Sequence, residues 1–222
     1  MIDLNFRDRV LEKSFEATGI GEWQGRRISE GWAREQHFYF GLNITARPDT
    51  AIELSEGVFW IPMPEGTLET TVEIGMSGTS EKGAWTNAAV ELINHDFESL
   101  HKETKKKWEV ELAKSMVKSS SVDDRAIFAT ALYHAYSVPN LWSDVDGSYR
   151  GADGQIYKDT LNRHYTVYSL WGFAGTSATE PTFSSCRGRA SSYASSLINF
   201  LSAVSTSGGQ PSAAPTRVAI SS

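Results

Sequence analysis

Hydrophobic and polar residues alternate along the chain from Trp32 to about Val72. In the segment HFYFGLNIT this alternation places Phe38, Phe40 and Leu42 on one face, as in a strand with one buried side. The segments AIELSEGVFWIPM and LETTVEIGM repeat the pattern, and glycine and proline residues lie between them. The alternation predicts an antiparallel sheet that forms part of a β-sandwich and begins without a full set of strands ahead of it.

The spacing of hydrophobic residues changes to three or four positions at Trp85. This spacing is typical of an amphipathic helix, and it predicts one long helix or two helices with lysines on the opposite face. The hydrophobic stripe consists of Ala89, Ile93, Phe97, Leu100, Thr104, Trp108, Leu112 and Met116. Ser121 and Asp124 have the spacing of a capping box and predict the start of a further helix, which Pro139 ends.

The composition changes again after Trp171. Residues 172–222 are rich in serine, and their charged residues are Glu180, Arg187, Arg189 and Arg217. Such a composition predicts a low-complexity, disordered segment. A natural linker and a stretch translated in the wrong reading frame both fit this composition.

The charge of the chain restricts its partners. Its 222 residues include 21 Lys and Arg against 27 Asp and Glu, which gives a formal net charge of −6. This charge argues against nucleic acid or an anionic membrane surface as a partner. No stretch approaches the roughly 18 apolar residues of a transmembrane helix, and the start MIDLNFRDRVLEKSF lacks the apolar region of an export signal. The single cysteine, Cys186, excludes an internal disulfide.

The segment SDVDGSYRGADG, residues 143–154, concentrates aspartates and glycines in one short stretch. One interpretation is a calcium loop, in which Asp144 and Asp146 would stand at ligand positions 1 and 3. Position 6 of such a loop requires glycine for a sharp turn, and here it is Tyr149. Position 12 requires a bidentate glutamate, and here it is Gln155. The segment therefore matches a self-contained calcium loop poorly.

Two other interpretations of this segment remain open. Aspartate and glycine are common turn residues, so the segment can be a plain polar turn. It can also be the lip of a sugar-binding pocket, because carboxylates accept hydrogen bonds from adjacent hydroxyls and arginine donates them. An aromatic side chain nearby would cover the apolar face of the sugar ring. Asp144, Asp146, Arg150 and Trp171 offer this set of groups, and the sequence favours the sugar-pocket interpretation.

A longer run of sequence resembles a known family. The run DDRAIFATALYHAYSVPNLWSDVDGSYRGADGQIYKDTLNRHYTVYSLW is similar to the first part of the catalytic domain of glycoside hydrolase family 92. These enzymes are calcium-dependent, inverting, exo-acting α-mannosidases. The preceding segment VEIGMSGTSEKGAWTNAAVELINHDFESLHKETKKKWEVELAK resembles the family's passage from a β-sandwich to linker helices. The resemblance covers roughly residues 20–171 and stops after Trp171.

The resemblance implies an α+β multidomain fragment. Residues 1–84 would form part of an N-terminal β-sandwich, and residues 85–120 would form linker helices. Residues 121–171 would supply the first helices of an (α/α)6 catalytic barrel, and residues 172–222 would be the low-complexity tail. The active site of the family lies between the sandwich and the barrel.

The resemblance also implies a function. In the family, the aspartates of the SDVDG motif and the tryptophan of the SLW motif resemble parts of the pocket for the terminal mannose. This role carries over to Asp144 and Trp171, and less directly to Asp146 and Arg150. The implied partners are α-mannoside glycans of the N-glycan or mannan type. Calcium is the implied cofactor of the complete enzyme, with ligands outside this chain, and the complete enzyme is expected to be secreted.

The general acid and the general base of the family have no matching residue in this chain. Inverting hydrolysis requires two such carboxyl groups, roughly 6.5–9.5 Å apart. We therefore expect the chain to be a truncated form that is inactive by itself. Two alternatives stay open, which are a mannose-binding remnant without enzymatic activity and a truncated gene product without a function.

Overall fold

Strands account for most of the chain up to Ser77, and three helices and a hairpin follow. This computed structural model describes residues 1–31, 33–115, 117–137, 139–166 and 216–220. The strands are β1 (Ile2–Asp3), β2 (Arg9–Gly19), β3 (Glu22–Glu30), β4 (Gln36–Ile44), β5 (Ile52–Ser55), β6 (Val58–Trp60), β7 (Thr70–Ser77), β8 (Ser148–Arg150), β9 (Ile156–Lys158) and β10 (Thr216–Ile220). The helices are α1 (Glu81–Glu91), α2 (Phe97–Leu112) and α3 (Val122–Tyr136).

The larger sheet has five strands in the order β10-β7-β4-β3-β2. Its neighbouring strands are antiparallel, except that β10 is parallel to β7. A second sheet has the order β1-β6-β5, and β8 pairs with β9 in a hairpin. Antiparallel sheets followed by helices confirm the predicted α+β class.

The larger sheet begins earlier in the chain than the hydrophobic alternation predicted. Strands β2 and β3 form a long hairpin ahead of residue 32. The inward-facing positions of β3 include Gly25, Arg27 and Ser29, so polar residues and a glycine hide the strand pattern. Arg27 is tolerated there because its Nε donates to the Leu4 carbonyl at 2.8 Å and its Nη2 to the Phe6 carbonyl at 3.0 Å.

The hydrophobic core lies between the two sheets. The buried side chains of this core are Ile2, Leu4, Trp23, Phe40, Leu42, Ile44, Ile61, Val72 and Ile74. The alternation in β4 correctly placed Phe40 and Leu42 in the core, and Phe38 packs against it while partly buried. Each fully buried side chain of this size contributes about 1.5–3 kcal/mol of hydrophobic stabilisation.

Helix α1 packs on the opposite face of the larger sheet. Gly41 and Gly75 are cross-strand partners there, and neither has a side chain to hold the helix away. A Cβ at Gly41 would lie 2.7 Å from the Trp85 ring, and a Cβ at Gly75 would lie 2.1 Å from the Ala84 carbonyl oxygen. The two glycines therefore allow α1 to approach the sheet closely.

The predicted amphipathic region contains two helices rather than one. Helix α1 ends at Glu91, and α2 begins at Phe97 after Asp96, whose side chain accepts from the Ser99 amide at 2.7 Å. The capping signal ahead of α3 is confirmed, because Ser121 Oγ accepts from the Asp124 amide at 3.1 Å. Helix α1 begins at Glu81, four residues ahead of the predicted change of period.

Most of the predicted disordered segment, residues 172–222, lies outside the described residues, and within it residues 216–220 form β10. In the part of the chain that the structure describes, no helix has the length and apolar character needed to cross a membrane.

Candidate functional site

The aspartate segment lies in a loop that closes on itself. Leu141 and Tyr165 form an isolated bridge at its base, and the Trp142 amide donates to the His164 carbonyl at 2.7 Å. Gly147 has a φ of 84°, and a Cβ there would lie 2.4 Å from the Asp159 carbonyl oxygen. Glycine is therefore required at the turn into β8. We call residues 141–166 the aspartate loop.

Asp144 is buried where the aspartate loop meets the end of β7. The residue is 7% exposed. Ser77 Oγ donates to Asp144 Oδ2 at 2.8 Å, and Thr79 Oγ1 donates to the same oxygen at 2.5 Å. Asn87 Nδ2 donates to Asp144 Oδ1 at 2.8 Å. These bonds satisfy most of the acceptor capacity of the carboxylate, so Asp144 anchors the loop to β7 and α1.

Asn87 connects three parts of the chain at this point. It lies on α1 and is 1% exposed. Its Nδ2 also donates to the Met76 carbonyl at 2.7 Å, and its Oδ1 accepts from the Val145 amide at 2.9 Å. The side-chain amide is therefore bonded to β7 and to two consecutive residues of the aspartate loop, and it fixes the distance between them.

Arg150 and Trp142 complete the contact with the segment between β7 and α1. Arg150 Nε donates to the Gly78 carbonyl at 3.0 Å, and its Nη1 donates to the Gly154 carbonyl at 2.7 Å. The Trp142 ring covers Gly78 so closely that a Cβ there would lie 2.1 Å from the ring. Trp142 Nε1 donates to the Arg150 backbone carbonyl at 2.9 Å, which ties the Trp142 side chain to the backbone of β8.

Asp146 differs from Asp144 because it is exposed. It accepts from the Ser148 amide at 2.9 Å and from Lys158 Nζ at 2.9 Å. The hydrogen bond from Lys158, followed by the bond from the Ser148 amide, lowers the pKa of Asp146 to about 2. Its carboxylate is therefore ionised at neutral pH and available to hydroxyl donors from solvent.

Two further aspartates of the loop also have lowered pKa values. Hydrogen bonds from the Asn162 side chain and the Leu161 amide are the main reasons why the pKa of Asp159 is lowered, and His164 contributes as well. The Tyr157 hydroxyl donates to Asp153 Oδ2 at 2.5 Å and lowers the pKa of Asp153. These three aspartates are therefore ionised hydrogen-bond acceptors. They do not suit the role of a general acid, which needs a carboxyl group with a raised pKa.

The structure brings together three of the four predicted site residues. Asp144, Asp146 and Arg150 lie within the aspartate loop, and Trp171 lies outside the described residues. Sequence reasoning did not identify the partners of Asp144, which are Ser77, Thr79 and Asn87. Ser77 and Thr79 look like ordinary turn residues ahead of α1. The sequence signal for Asn87 was its amide side chain within a small-residue stretch of a helix.

The described residues do not fit a metal centre. Within the ranges that the structure describes, no three side chains of His, Cys, Asp or Glu come together so that they could hold a metal ion. The loop aspartates are instead bonded to hydroxyl, amide and ammonium groups of the chain.

Comparison with protein families gives one match. A model of the glycosyl hydrolase family 92 catalytic domain matches residues 83–201, which include the aspartate loop. This match continues past Trp171, so the prediction that the similarity stops there is wrong. No curated protein sequence matches the chain.

Solved structures share the fold. Two structures of the family GH92 α-mannosidase BT3965 from Bacteroides thetaiotaomicron, one of them in complex with mannoimidazole, match with a TM-score of 0.60 and 24% sequence identity over 72% of this chain. The GH92 family glycosyl hydrolase ccman5 matches with a TM-score of 0.55 and 15% identity over 74% of this chain. The matched region spans 24% of each of those longer chains.

Proposed function

Because the chain belongs to glycosyl hydrolase family 92, we propose that it is part of an α-mannosidase that removes terminal α-mannosyl residues with inversion of configuration. The family match over residues 83–201 carries this proposal. Residues 1–84 then belong to the N-terminal sandwich and residues 85–120 to the linker. Residues 121–171 begin the (α/α)6 barrel, with α3 as its first helix, and the family match extends beyond them into the serine-rich segment 172–222.

The aspartate loop forms one wall of the pocket for the terminal mannose in this proposal. The half-exposed carboxylate of Asp146 accepts hydrogen bonds from mannose hydroxyls. Asp144 and Arg150 hold the loop in place, and Trp171 covers the apolar face of the sugar ring. Support for this division of roles comes from burial, since Asp144 is 7% exposed, whereas the side chain of Asp146 is 46% exposed.

The chain by itself does not hydrolyse glycosides in this proposal. An inverting glycosidase needs a carboxylic acid with a raised pKa to protonate the leaving oxygen. In the aspartate loop, hydrogen bonds instead lower the pKa values of Asp146, Asp153 and Asp159. The acid, the base and the calcium ligands belong to other parts of the complete enzyme, which is secreted and acts on mannoside glycans.

Activity is tested by incubating the full chain with α-linked mannobiose in calcium-containing buffer and in buffer with a chelator. We expect no release of mannose under either condition. Release of mannose that the chelator abolishes would contradict the proposal that the chain is inactive by itself.

Sugar binding is tested by NMR titration of the full chain with methyl α-mannoside and, for comparison, with methyl α-galactoside. We expect saturable shifts with the mannoside, and we expect Asp146→Asn to weaken them. Asp123→Asn is the matched control, because Asp123 is exposed on the first turn of α3, away from the aspartate loop. If neither sugar shifts a resonance of the loop, the pocket assignment is wrong and the mannose-binding alternative also fails.

A further inference from the structure

Three polar side chains meet on one face of the β8–β9 hairpin. Ser148 on β8 and Lys158 on β9 are cross-strand partners, so their side chains lie on the same face. Asp146 Oδ2 accepts from Lys158 Nζ at 2.9 Å and from Ser148 Oγ at 3.0 Å. Asp146, Ser148 and Lys158 therefore form one contiguous group, which we call the hairpin cluster.

The position of the Asp146 carboxylate does not depend on Lys158 alone. The Ser148 amide donates to Asp146 Oδ1 at 2.9 Å. The turn itself is closed by the Asp144 amide, which donates to the Ser148 carbonyl at 2.8 Å, and by the Asp159 amide, which donates to the Gly147 carbonyl at 2.9 Å. A carboxylate that is already held in place loses little conformational freedom when a ligand binds.

Both charged groups of the hairpin cluster keep hydrogen-bonding capacity. The Lys158 ammonium has three N–H groups, and among the residues that the structure describes it donates to Asp146 alone. Asp146 Oδ1 accepts one hydrogen bond and has a further lone pair. The side chains of Lys158 and Asp146 are 58% and 46% exposed. The pair therefore presents a free donor beside a free acceptor to a ligand from solvent.

This combination suits two neighbouring hydroxyl groups. The positive and negative charges of the pair balance, so the pair favours an uncharged ligand over an anion or a cation. A hydroxyl group both donates and accepts hydrogen bonds. Of two hydroxyls on adjacent carbons of a sugar ring, one can donate to the carboxylate while the other accepts from the ammonium group. Hydrogen bonds to charged groups are the stronger ones, which makes the contact selective.

We propose that Lys158 determines the specificity of the mannose site by donating to one hydroxyl of the terminal sugar, while Asp146 accepts from the hydroxyl on the adjacent carbon. This inference rests on the proposed function, which assigns Asp146 to the terminal mannose. It adds that the site requires two neighbouring hydroxyls in that sugar, and that each of them is bound by a different side chain.

The test is an NMR titration of the full chain at neutral pH with methyl α-mannoside and with its analogues that lack the hydroxyl on the second, third or fourth carbon. We expect the two analogues that lack a recognised hydroxyl to bind about tenfold more weakly than the parent sugar. Lys158→Met should weaken the parent sugar by the same factor, and one of these two hydroxyls should then no longer matter. Asp146→Asn should have this effect for the adjacent hydroxyl.

The variant Lys158→Met removes the donor without neutralising the acceptor. Asp146 remains ionised at neutral pH without Lys158, because the ordinary pKa of an aspartate is 3.8. Lys107→Met is the matched control, since Lys107 Nζ on α2 also pairs with a carboxylate, Glu103 Oε1 at 2.8 Å. We expect this control to bind every sugar as the unchanged protein does.

The outcomes separate this inference from the proposed function. If mannosides bind and Lys158→Met weakens none of them, or weakens all the analogues equally, the role of Lys158 is wrong and the mannose pocket stands. If mannosides fail to bind but methyl α-glucoside binds with the same coupling to Lys158, the role of Lys158 stands and the mannose assignment fails. If no glycoside binds, both are overturned.

Discussion

Asn87 on α1 donates to Asp144 in the aspartate loop at 2.8 Å, although 57 positions separate them in the sequence. Asn87 also bonds Met76 and Val145, so this amide joins strand β7, helix α1 and the loop. The position of the proposed mannose-binding residues therefore depends on a helix that carries none of them.

Replacing Asn87 by aspartate tests this dependence. Asn87→Asp would place two carboxylates together in a buried site and leave the Met76 carbonyl without its donor, so we expect about 3 kcal/mol of lost stability in urea unfolding. The double variant Asn87→Asp with Asp144→Asn restores one donor and one carboxylate and should recover part of the loss. Asn94→Asp at an exposed position is the control. Stability of Asn87→Asp equal to that of the control would contradict the anchoring role.

The contact between Trp142 and Gly78 predicts a second effect. In Gly78→Ala the new Cβ would lie 2.1 Å from the indole ring, so the ring or the loop must move, at a cost of about 1–3 kcal/mol. The indole N–H resonance of Trp142 should shift, because its bond to the Arg150 carbonyl would be disturbed. Gly19→Ala is the control, since the nearest atom there belongs to the movable Glu22 side chain. An unchanged Trp142 resonance in Gly78→Ala would refute the close contact.

Asp146 predicts a pH dependence of the loop. Its folded pKa of about 2 lies below its ordinary value of 3.8, so its ionised form stabilises the folded loop above pH 3.8. This contribution is lost as the pH falls from 3.8 towards 2. An NMR titration of the Asp146 carboxyl carbon measures it. Lys158→Met should raise the pKa towards the ordinary value, and Lys114→Met, at a distant Glu111 pair, should not. Equal titration in both variants would show that Lys158 is not the cause.

The pairing of β10 with β7 predicts which backbone amides of β7 are protected from hydrogen exchange. The Thr71 carbonyl accepts from the Thr45 amide at 3.0 Å, so the backbone groups of Thr71 face the β4 side. Backbone groups of successive residues in a strand point alternately to its two neighbours. Val72 and Ile74 lie one and three residues after Thr71, so their backbone groups face β10 instead.

A proline in β10 tests this pairing. Ala219→Pro removes the strand N–H that faces Val72 and should lower the protection of the Val72 and Ile74 amides by about tenfold or more. Ser207→Pro, ahead of β10, is the control. If protection of these amides is the same in both variants, β10 does not cover this edge of the sheet.

Local patterns predicted the parts of the fold in which side-chain periodicity matches burial. The alternation in β4 placed Phe40 and Leu42 in the core, and the capping spacing located the start of α3. The hairpin of β2 and β3 was missed because Arg27 occupies an inward position, where backbone carbonyls satisfy its guanidinium. Such compensation depends on residues distant in sequence, and a periodicity argument cannot include it.

The candidate site was predicted less completely than the fold. Its aspartates are visible as a concentrated motif, and both Asp144 and Asp146 lie in one loop as expected. Their different environments are not visible, because Asp144 is buried by Ser77, Thr79 and Asn87, whereas Asp146 pairs with Lys158. A sequence shows which side chains are available, and the fold decides which of them remain exposed.

The distance in sequence between Asp144 and its partners affects how the protein is made. Ser77 and Thr79 precede Asp144 by 67 and 65 residues, so a ribosome has synthesised strands β1 to β7 and all three helices before it adds their acceptor. Until then, the hydroxyls at the end of β7 bond water and the ring of Trp142 does not yet cover Gly78. Closure of this junction is therefore a late event for the nascent chain, and a translational pause before residue 144 would leave the junction accessible to chaperones and proteases.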